Sequence, residues 1–127
     1  MNPKVLLIED DTTMLTLLRT LLRFEGFEVA QMEGDDDLKG IVDSIRFEKP
    51  DLILLDVHLR LVNGFDLFHC IRKDKDLRNV RVIMSSGIDF SQKCLEEGVD
   101  GFVQKPYMPE ELIQKIHELY GNQKPSG

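Results

Sequence analysis

The sequence predicts a doubly wound α/β domain, in which helices cover both faces of a five-stranded parallel sheet. Two patterns support this fold class. Short apolar runs of strand length alternate five times with segments whose apolar residues recur at helical spacing. The connections between them are only a few residues long, and a chain that joins parallel strands needs a crossover such as a helix. We therefore expect strand and helix to alternate along the whole domain.

Five apolar runs are the candidate strands, because each is short and is bounded by polar or turn-forming residues. They cover residues 4–8, 27–31, 52–56, 80–85 and 101–104. The segments with helical spacing cover residues 12–25, 35–47, 64–73, a short stretch at 90–97, and a last helix from Pro109 onward. We expect Gly26 to end the first helix, and Pro50 to hold Lys49 in extended geometry after the second.

Acidic residues follow the first and third candidate strands at the point where each apolar run stops. Glu9, Asp10 and Asp11 follow the first run, and Asp56 ends the third. Carboxylates at the end of a buried strand repel one another and lose solvation, so a cation is expected among them. The simplest interpretation is a divalent metal held by Glu9, Asp10 and Asp56, with one carboxylate available for chemistry. Asp11 directly precedes the first helix and suits an N-cap instead.

The predicted fold adds two residues to this candidate site. In doubly wound sheets, ligands bind outside the carboxyl ends of the strands, where the winding reverses. Ser86 follows the fourth candidate strand, and Lys105 follows the fifth. We therefore expect both side chains to lie beside the acidic residues, although these residues are scattered over 97 positions of the sequence.

Length and composition exclude several classes of protein. The chain of 127 residues fits one domain, expected at residues 1–120 and followed by a linker-like tail at 121–127. Its formal charge of -7 disfavours direct contact with nucleic acid. No apolar run suits a membrane helix or a signal peptide, so we expect a cytoplasmic protein with no membrane partner. Cys70 and Cys94 have no metal-site spacing, and we expect two free, mostly buried thiols.

Five motifs, in this order and spacing, resemble the receiver domain of two-component response regulators over residues 3–120. They are VLLIEDD at 5–11, PDLILLD at 50–56, Asn63-Gly64, Ser86-Gly87 and GFVQKPY at 101–107. The resemblance implies the strand order 2-1-3-4-5 of the flavodoxin-like and chemotaxis-regulator folds. It also implies a phosphoacceptor signalling domain that assists its own phosphorylation and dephosphorylation and is not otherwise an enzyme.

The resemblance assigns roles to the residues of the candidate site. Asp56 would accept a phosphoryl group from the phosphohistidine of a sensor histidine kinase or of a histidine phosphotransfer protein. Mg²⁺ is the implied cofactor, bound by Glu9, Asp10, Asp56 and the backbone carbonyl of His58. Lys105 would contact a phosphoryl oxygen and offset the carboxylates before phosphorylation.

Further implied features concern the response to phosphorylation. The Ser86 hydroxyl would move toward the phosphoryl group. The adjacent Ser85 is an alternative candidate for this role. Phe102 occupies the family's switch-aromatic position, although an ordinary core phenylalanine is an equal alternative. Family members have a cis peptide at the junction of Lys105 and Pro106. We expect the face of helix four, strand five and helix five to change for a downstream output protein or domain, with a phosphorylation-dependent dimer as one consequence.

Two stretches inside the predicted domain depart from the family pattern. Arg60 replaces the proline that usually follows the phosphoacceptor strand, which leaves the geometry of that loop open. Fewer residues than usual separate Ser86 from Lys105, so the fourth helix is expected to be shortened by nearly a turn.

Three other functions remain open from the sequence. A flavodoxin-like electron carrier has the same winding but needs a phosphate-binding loop where this chain has acidic residues. An aspartate-nucleophile phosphatase needs a second aspartate two residues after the nucleophile, where this chain has His58. The strongest alternative is a receiver-fold interaction module that is not physiologically phosphorylated.

Overall fold

The computed structural model describes residues 3–120, in which five strands alternate with five helices. The strands are β1 (Lys4–Ile8), β2 (Glu28–Met32), β3 (Leu52–Asp56), β4 (Arg81–Ser86) and β5 (Gly101–Gln104). The helices are α1 (Thr12–Phe24), α2 (Leu38–Glu48), α3 (Gly64–Lys73), α4 (Ser91–Glu97) and α5 (Pro109–Leu119). The predicted tail at 121–127 lies outside the described residues, and the predicted domain boundary stays a prediction.

The five strands form one parallel sheet in the order β2-β1-β3-β4-β5. This confirms the predicted doubly wound fold, with the winding reversing between β1 and β3. The register places Ile8 beside Leu55 and Asp56 beside Ser85. The carboxyl ends of β1, β3 and β4 therefore meet at the same edge of the sheet, which is where such folds bind ligands.

Two hydrophobic clusters cover the two faces of the sheet. Alternate residues of each strand point to opposite faces, so neighbouring aliphatic residues divide between the clusters. On one face, apolar side chains of α1 and α5 pack against the sheet, as Leu18 and Leu112 do. On the other face, α2, α3 and α4 supply residues such as Ile45 and Phe68. Burial on both faces explains why β1 and β3 are almost continuously apolar in sequence.

Helix α1 begins at the predicted residue and ends at Phe24, one residue before the predicted end. The Asp11 carboxylate accepts hydrogen bonds from the backbone N–H groups of Thr13 and Met14, at 3.0 and 3.1 Å. Asp11 is therefore an N-cap, as expected. Gly26 has a φ of 96° and follows the helix, where only glycine adopts this conformation without strain. No helix among residues 3–120 is long and apolar enough to cross a membrane.

The prediction of extended geometry at Lys49 is wrong. Lys49 adopts the left-handed conformation, with φ 51° and ψ 56°, and its N–H donates to the carbonyl of Ile45 at 3.0 Å. Closing the last turn of α2 therefore outweighs the preference that Pro50 imposes on the preceding residue. Helix α2 also begins at Leu38, three residues later than predicted, because the Asp37 side chain caps it by accepting from Gly40 N–H.

Other boundaries differ by one residue, as in β2 and β4, whose ends each lie one position later than predicted. Of the two thiols, Cys94 is buried and Cys70 is half-buried, and neither forms a disulfide. Helix α4 is the shortest of the five, with seven residues, as the short stretch at 90–97 predicted. Its shortening relative to the family stays a prediction.

Candidate functional site

Three strand ends bring Glu9, Asp56 and Lys105 together at the carboxyl edge of the sheet. The Lys105 ammonium donates to Glu9 Oε1 at 2.7 Å and to Asp56 Oδ2 at 3.2 Å. Glu9 and Asp56 are only 5% and 7% exposed. One lysine therefore neutralises part of the charge of two buried carboxylates, and the cluster retains a net negative charge.

Backbone N–H groups hold the remaining oxygens of these carboxylates. Glu9 Oε2 accepts from Asp10 N–H at 3.0 Å and from Asp11 N–H at 3.3 Å. Asp56 Oδ1 accepts from His58 N–H at 3.3 Å. The turns that follow β1 and β3 thus fix the orientation of the acids, because each turn directs amide hydrogens back at the side chain that precedes it.

Burial and neighbouring charges shift two pKa values in the cluster. Burial raises the pKa of Glu9, and the nearby Asp56 adds to the rise, although Lys105 opposes it. Burial alone would lower the pKa of Lys105, but its bond to Glu9 and the charges of both carboxylates outweigh burial and raise that pKa. Lys105 therefore stays protonated at neutral pH, and an additional cation near Glu9 would relieve the carboxylates further.

Asp10 lies beside the cluster but is directed elsewhere. Its Oδ1 accepts from the backbone N–H of Gly34 at 3.0 Å, in the loop between β2 and α2. Among residues 3–120, no three carboxylate, imidazole or thiolate groups already converge as a metal site requires. The donor set nevertheless fits Mg²⁺, because carboxylate and backbone oxygens are the hard ligands this ion takes. Asp10 keeps a second oxygen that the Gly34 bond does not use.

Both candidate serines are buried at the end of β4, with 1% exposure each. Ser85 lies opposite Asp56 in the register of the sheet, and its carbonyl accepts from Val57 N–H at 2.9 Å. The Ser86 hydroxyl accepts from Ile88 N–H at 3.1 Å, and its carbonyl accepts from Lys105 N–H at 2.8 Å. Within the described residues, neither serine hydroxyl hydrogen-bonds to the Asp56 carboxylate, so the choice between them stays a prediction.

The loop after Asp56 is closed despite the arginine at position 60. His58 and Asn63 form an antiparallel bridge across it. Leu59 is buried and packs against Gly34, where an added methyl group would lie 2.8 Å from Leu59 Cδ2. Side-chain packing and the bridge therefore shape this loop without the usual proline.

Helix α3 starts directly against the end of β3. The N–H of Gly64 donates to the carbonyl of Val57 at 2.7 Å, and Asn63 Oδ1 caps the helix by accepting from Phe65 N–H at 2.8 Å. A methyl group on Gly64 would lie 2.6 Å from the carbonyl oxygen of Asp56. The glycine in the predicted Asn63-Gly64 turn is thus required by a close approach of backbone to backbone.

Two residues near the site were not predicted from the sequence. Gly34 contacts Asp10 through its backbone, and Phe90 contacts the ring of His58 with 6.0 Å between ring centroids. The cluster of acids around Gly34 was visible in the sequence, but no pattern there indicated a bond across 24 positions.

The peptide between Lys105 and Pro106 is cis, as the resemblance implied. Phe102 is half-buried against the hydrophobic cluster that includes residues of α2, α3 and α4.

Known proteins resemble this chain in both sequence and fold. The family model of the response regulator receiver domain matches residues 5–117. The DNA-binding response regulator MtrA of Mycolicibacterium smegmatis is 32% identical over 116 residues, which are 91% of this chain and 50% of that protein. The transcriptional regulatory protein PrrA of Mycobacterium tuberculosis is 30% identical over 120 residues, with 93% and 50% covered. The chain spans about half the length of these curated relatives.

Solved structures give the same result. The CheY-like response regulator receiver domain protein of Methanospirillum hungatei JF-1 has a TM-score of 0.81 at 28% identity, with all of both chains covered. The receiver domain of the sensor histidine kinase PA1611 of Pseudomonas aeruginosa PAO1 has a TM-score of 0.79 at 25% identity, with 95% of this chain and 99% of that chain covered. That structure holds a magnesium ion coordinated in its active site cleft. The fold and the family match show that this chain belongs to the response regulator receiver domains of two-component systems.

Proposed function

We propose that the domain accepts a phosphoryl group on Asp56 from the phosphohistidine of a sensor histidine kinase or histidine phosphotransfer protein. One observation carries this proposal: Lys105 lies between the buried carboxylates of Glu9 and Asp56, at the edge of the sheet where the fold binds ligands. A cation held beside a nucleophilic carboxylate can also bind the phosphoryl oxygens that arrive there.

In the proposed reaction, an oxygen of the Asp56 carboxylate attacks phosphorus, and the bond between phosphorus and the histidine nitrogen breaks. The phosphoryl group remains on Asp56 as an acyl phosphate, and the electron pair of the broken bond returns to the histidine. Lys105 exchanges part of its contact with the carboxylates for a contact with a phosphoryl oxygen. The N–H of His58 holds the carboxylate by its other oxygen during the attack.

Glu9, Asp10, Asp56 and the backbone carbonyl of His58 would hold Mg²⁺. The ion would supply positive charge for the phosphoryl oxygens in a cluster that is otherwise net negative. The N–H of His58 already donates to Asp56 Oδ1, so the residue that would supply this carbonyl lies in the turn beside the Asp56 carboxylate. Asp10 would turn its free oxygen, or its whole carboxylate, from Gly34 toward the ion.

The phosphorylated domain would act through its partners and not through turnover of a substrate. Ser86 would move toward the phosphoryl group, Phe102 would reorient, and the face of α4, β5 and α5 would change for an output protein, an output domain or a second copy. The net charge of -7 supports a role in which this domain makes no direct contact with DNA. The DNA-binding function in the name of MtrA is that of a protein twice as long as the matched part.

Intact-mass spectrometry after incubation with a small acyl phosphate and Mg²⁺ tests the proposal. We expect a mass gain of one phosphoryl group that is absent in Asp56→Asn and in the presence of EDTA. Asp66→Asn is the matched control, because Asp66 is an exposed aspartate on α3, and this variant should be labelled like the wild type. Labelling that survives Asp56→Asn, or that ignores EDTA, would contradict the proposal, and an unlabelled wild type would favour the unphosphorylated interaction module.

A further inference from the structure

A row of three aromatic rings connects the candidate phosphorylation site to the start of α4. The imidazole of His58 lies 6.0 Å from the ring of Phe90 between centroids, at an interplanar angle of 51°. Phe90 lies 5.5 Å from Phe65 in an edge-to-face arrangement with an angle of 76°. These separations fall in the range in which aromatic side chains attract one another. The three rings thus form one continuous contact from the loop after β3 to helices α3 and α4.

His58 is the member of this row of rings that contacts the site. Its N–H donates to Asp56 Oδ1, and its backbone pairs with Asn63 across the loop. Its side chain is otherwise exposed to solvent. The orientation of the His58 peptide therefore depends on few contacts, and its ring against Phe90 is one of them.

Phe90 is the member that stands at the start of α4. It directly precedes the helix, and its carbonyl accepts from Cys94 N–H at 2.8 Å in the first helical turn. Its side chain does not cap the helix by a hydrogen bond. The ring instead packs against the hydrophobic cluster, half-buried. Because the ring and this carbonyl belong to one residue, a displacement of the Phe90 backbone would shift both the ring and the first turn of α4.

Phe65 lies at the other end of this row of rings. It is 4% exposed, and the ammonium of Lys93 on α4 lies 4.5 Å from the centre of its ring. This cation–π distance is within the attractive range, so α4 contacts Phe65 through both Phe90 and Lys93. Phe65 follows Gly64, whose backbone is packed against that of Asp56. Phe65 is therefore fixed relative to β3, whereas the half-buried ring of Phe90 and the exposed ring of His58 can move against it.

We propose that Phe90 is a positioning residue of the acceptor site. Through its contact with the His58 ring, it holds the His58 peptide against the Asp56 carboxylate, and it couples events at Asp56 to the first turn of α4. This inference rests on the proposed function and goes beyond it, since it adds a route to α4 that includes neither Ser86 nor Phe102. Because coupling between two sites is reciprocal, whatever moves the start of α4 also changes ligand affinity at Asp56.

A double-mutant cycle on His58 and Phe90 tests this route. Beryllofluoride, which binds an aspartate carboxylate as a phosphoryl mimic, is titrated with Mg²⁺ into wild type, His58→Ala, Phe90→Ala and the double variant. We expect each single variant to bind about three- to tenfold more weakly, the range of one aromatic contact. The double variant should bind no more weakly than the weaker single variant, because both substitutions remove the same contact. His58→Ala keeps the test valid if Phe90→Ala folds poorly, since the His58 side chain is exposed.

A second readout separates positioning from a merely structural role. Amide chemical shifts of residues 91–97 are recorded at saturating beryllofluoride, where differences in affinity no longer matter. We expect the shift changes in α4 to fall by half or more in His58→Ala and Phe90→Ala, and to return in Phe90→Tyr, which keeps the ring. Phe24→Ala is the control, because Phe24 is 88% exposed and remote in sequence, and it should leave affinity and shifts unchanged.

The outcomes distinguish this inference from the proposed function. Additive losses in the cycle, or α4 shifts that persist in both single variants, would overturn the positioning role of Phe90 while leaving Asp56 as the acceptor. A wild-type protein that binds no beryllofluoride with Mg²⁺ would instead overturn the proposed function on which the inference rests.

Discussion

The Lys105 ammonium lies 2.7 Å from Glu9 Oε1, although 96 positions separate the two residues. Both belong to strand ends that the parallel winding brings to one edge of the sheet. Lys105 is the cation that links Glu9 to Asp56, and each carboxylate is almost completely buried. The pair therefore combines a structural role with the proposed catalytic one, and removing the cation should affect stability before any phosphodonor is added.

Lys105→Met tests this structural role. It leaves two buried carboxylates close together without their shared donor, so we expect the free energy of unfolding in EDTA to fall by about 2 kcal/mol, the scale of a charge-assisted bond. Mg²⁺ should restore part of the loss, because it supplies the missing charge. Urea denaturation with and without Mg²⁺ measures both effects, and Lys39→Met, at an exposed position, is the control. An unchanged stability, or no response to Mg²⁺, would contradict the account.

Gly64→Ala should destabilise the domain by about 2 kcal/mol, the scale of overpacking in a core. The added methyl group would lie 2.6 Å from the Asp56 carbonyl oxygen and 2.8 Å from Val57 Cα, and neither backbone atom can move without displacing β3. Gly87→Ala is a matched control, since no atom lies within 4 Å of the methyl group it would add. Thermal unfolding of the two variants provides the comparison, and equal midpoints would show that α3 is not tightly packed on β3.

The ends of β1 and β3 could be predicted because each apolar run stops abruptly at an acid. The start of α2 could not, because Asp35, Asp36 and Asp37 are all suitable caps and only the folded loop selects Asp37. Lys49 shows a similar limit, since the pattern around Pro50 contains no information about the turn into β3. Local patterns thus predict which elements form more reliably than where a helix begins.

The clustering of Glu9, Asp56 and Lys105 could be predicted, but the contacts that the neighbouring loops make over this cluster could not. Parallel winding brings Glu9, Asp56 and Lys105 to one edge, and this follows from the order of elements. The bond from Gly34 to Asp10 and the contact from Phe90 to His58 depend on how loops pack over that edge. No spacing in the sequence encodes such contacts, because they join segments whose relative position only tertiary packing determines.

The pair of Arg46 and Asp74 should make stability depend on pH in acid. The bonds from Arg46 are the main reason why the pKa of Asp74 lies below its ordinary value of 3.8. A carboxyl whose pKa is lowered by folding contributes stability above its unfolded pKa and loses that contribution as pH falls through its folded pKa. The stability difference between wild type and Arg46→Met should therefore be level above about pH 4.5 and shrink in more acidic solution.

Urea denaturation across this pH range measures the difference directly. Arg23→Met, at an exposed position in the last turn of α1, is the control and should give no such acid dependence. A difference between wild type and Arg46→Met that stays constant down to the acid-unfolding transition would contradict the assignment of the pair.

The two cysteines should differ strongly in reactivity. Burial raises the pKa of the Cys94 thiol to about 11, and Cys94 is 2% exposed, whereas Cys70 is half-buried. Only the thiolate reacts, so the raised pKa alone lowers the reactive fraction of Cys94 at mildly alkaline pH by about a hundredfold. Iodoacetamide should therefore modify Cys70 first and Cys94 only after unfolding. Peptide mass spectrometry over time, with Cys70→Ser as the control, gives the two rates, and equal rates in the native protein would refute the prediction.

The central claim is that Asp56 carries the phosphoryl group. Reduction with borohydride converts an aspartyl phosphate to homoserine, so peptide mass spectrometry can locate the modified residue directly. After incubation with an acyl phosphate and Mg²⁺, we predict homoserine at position 56 and at no other aspartate, and none when EDTA is present. Homoserine at another position, or a phosphorylated protein in which position 56 remains aspartate after reduction, would contradict the account.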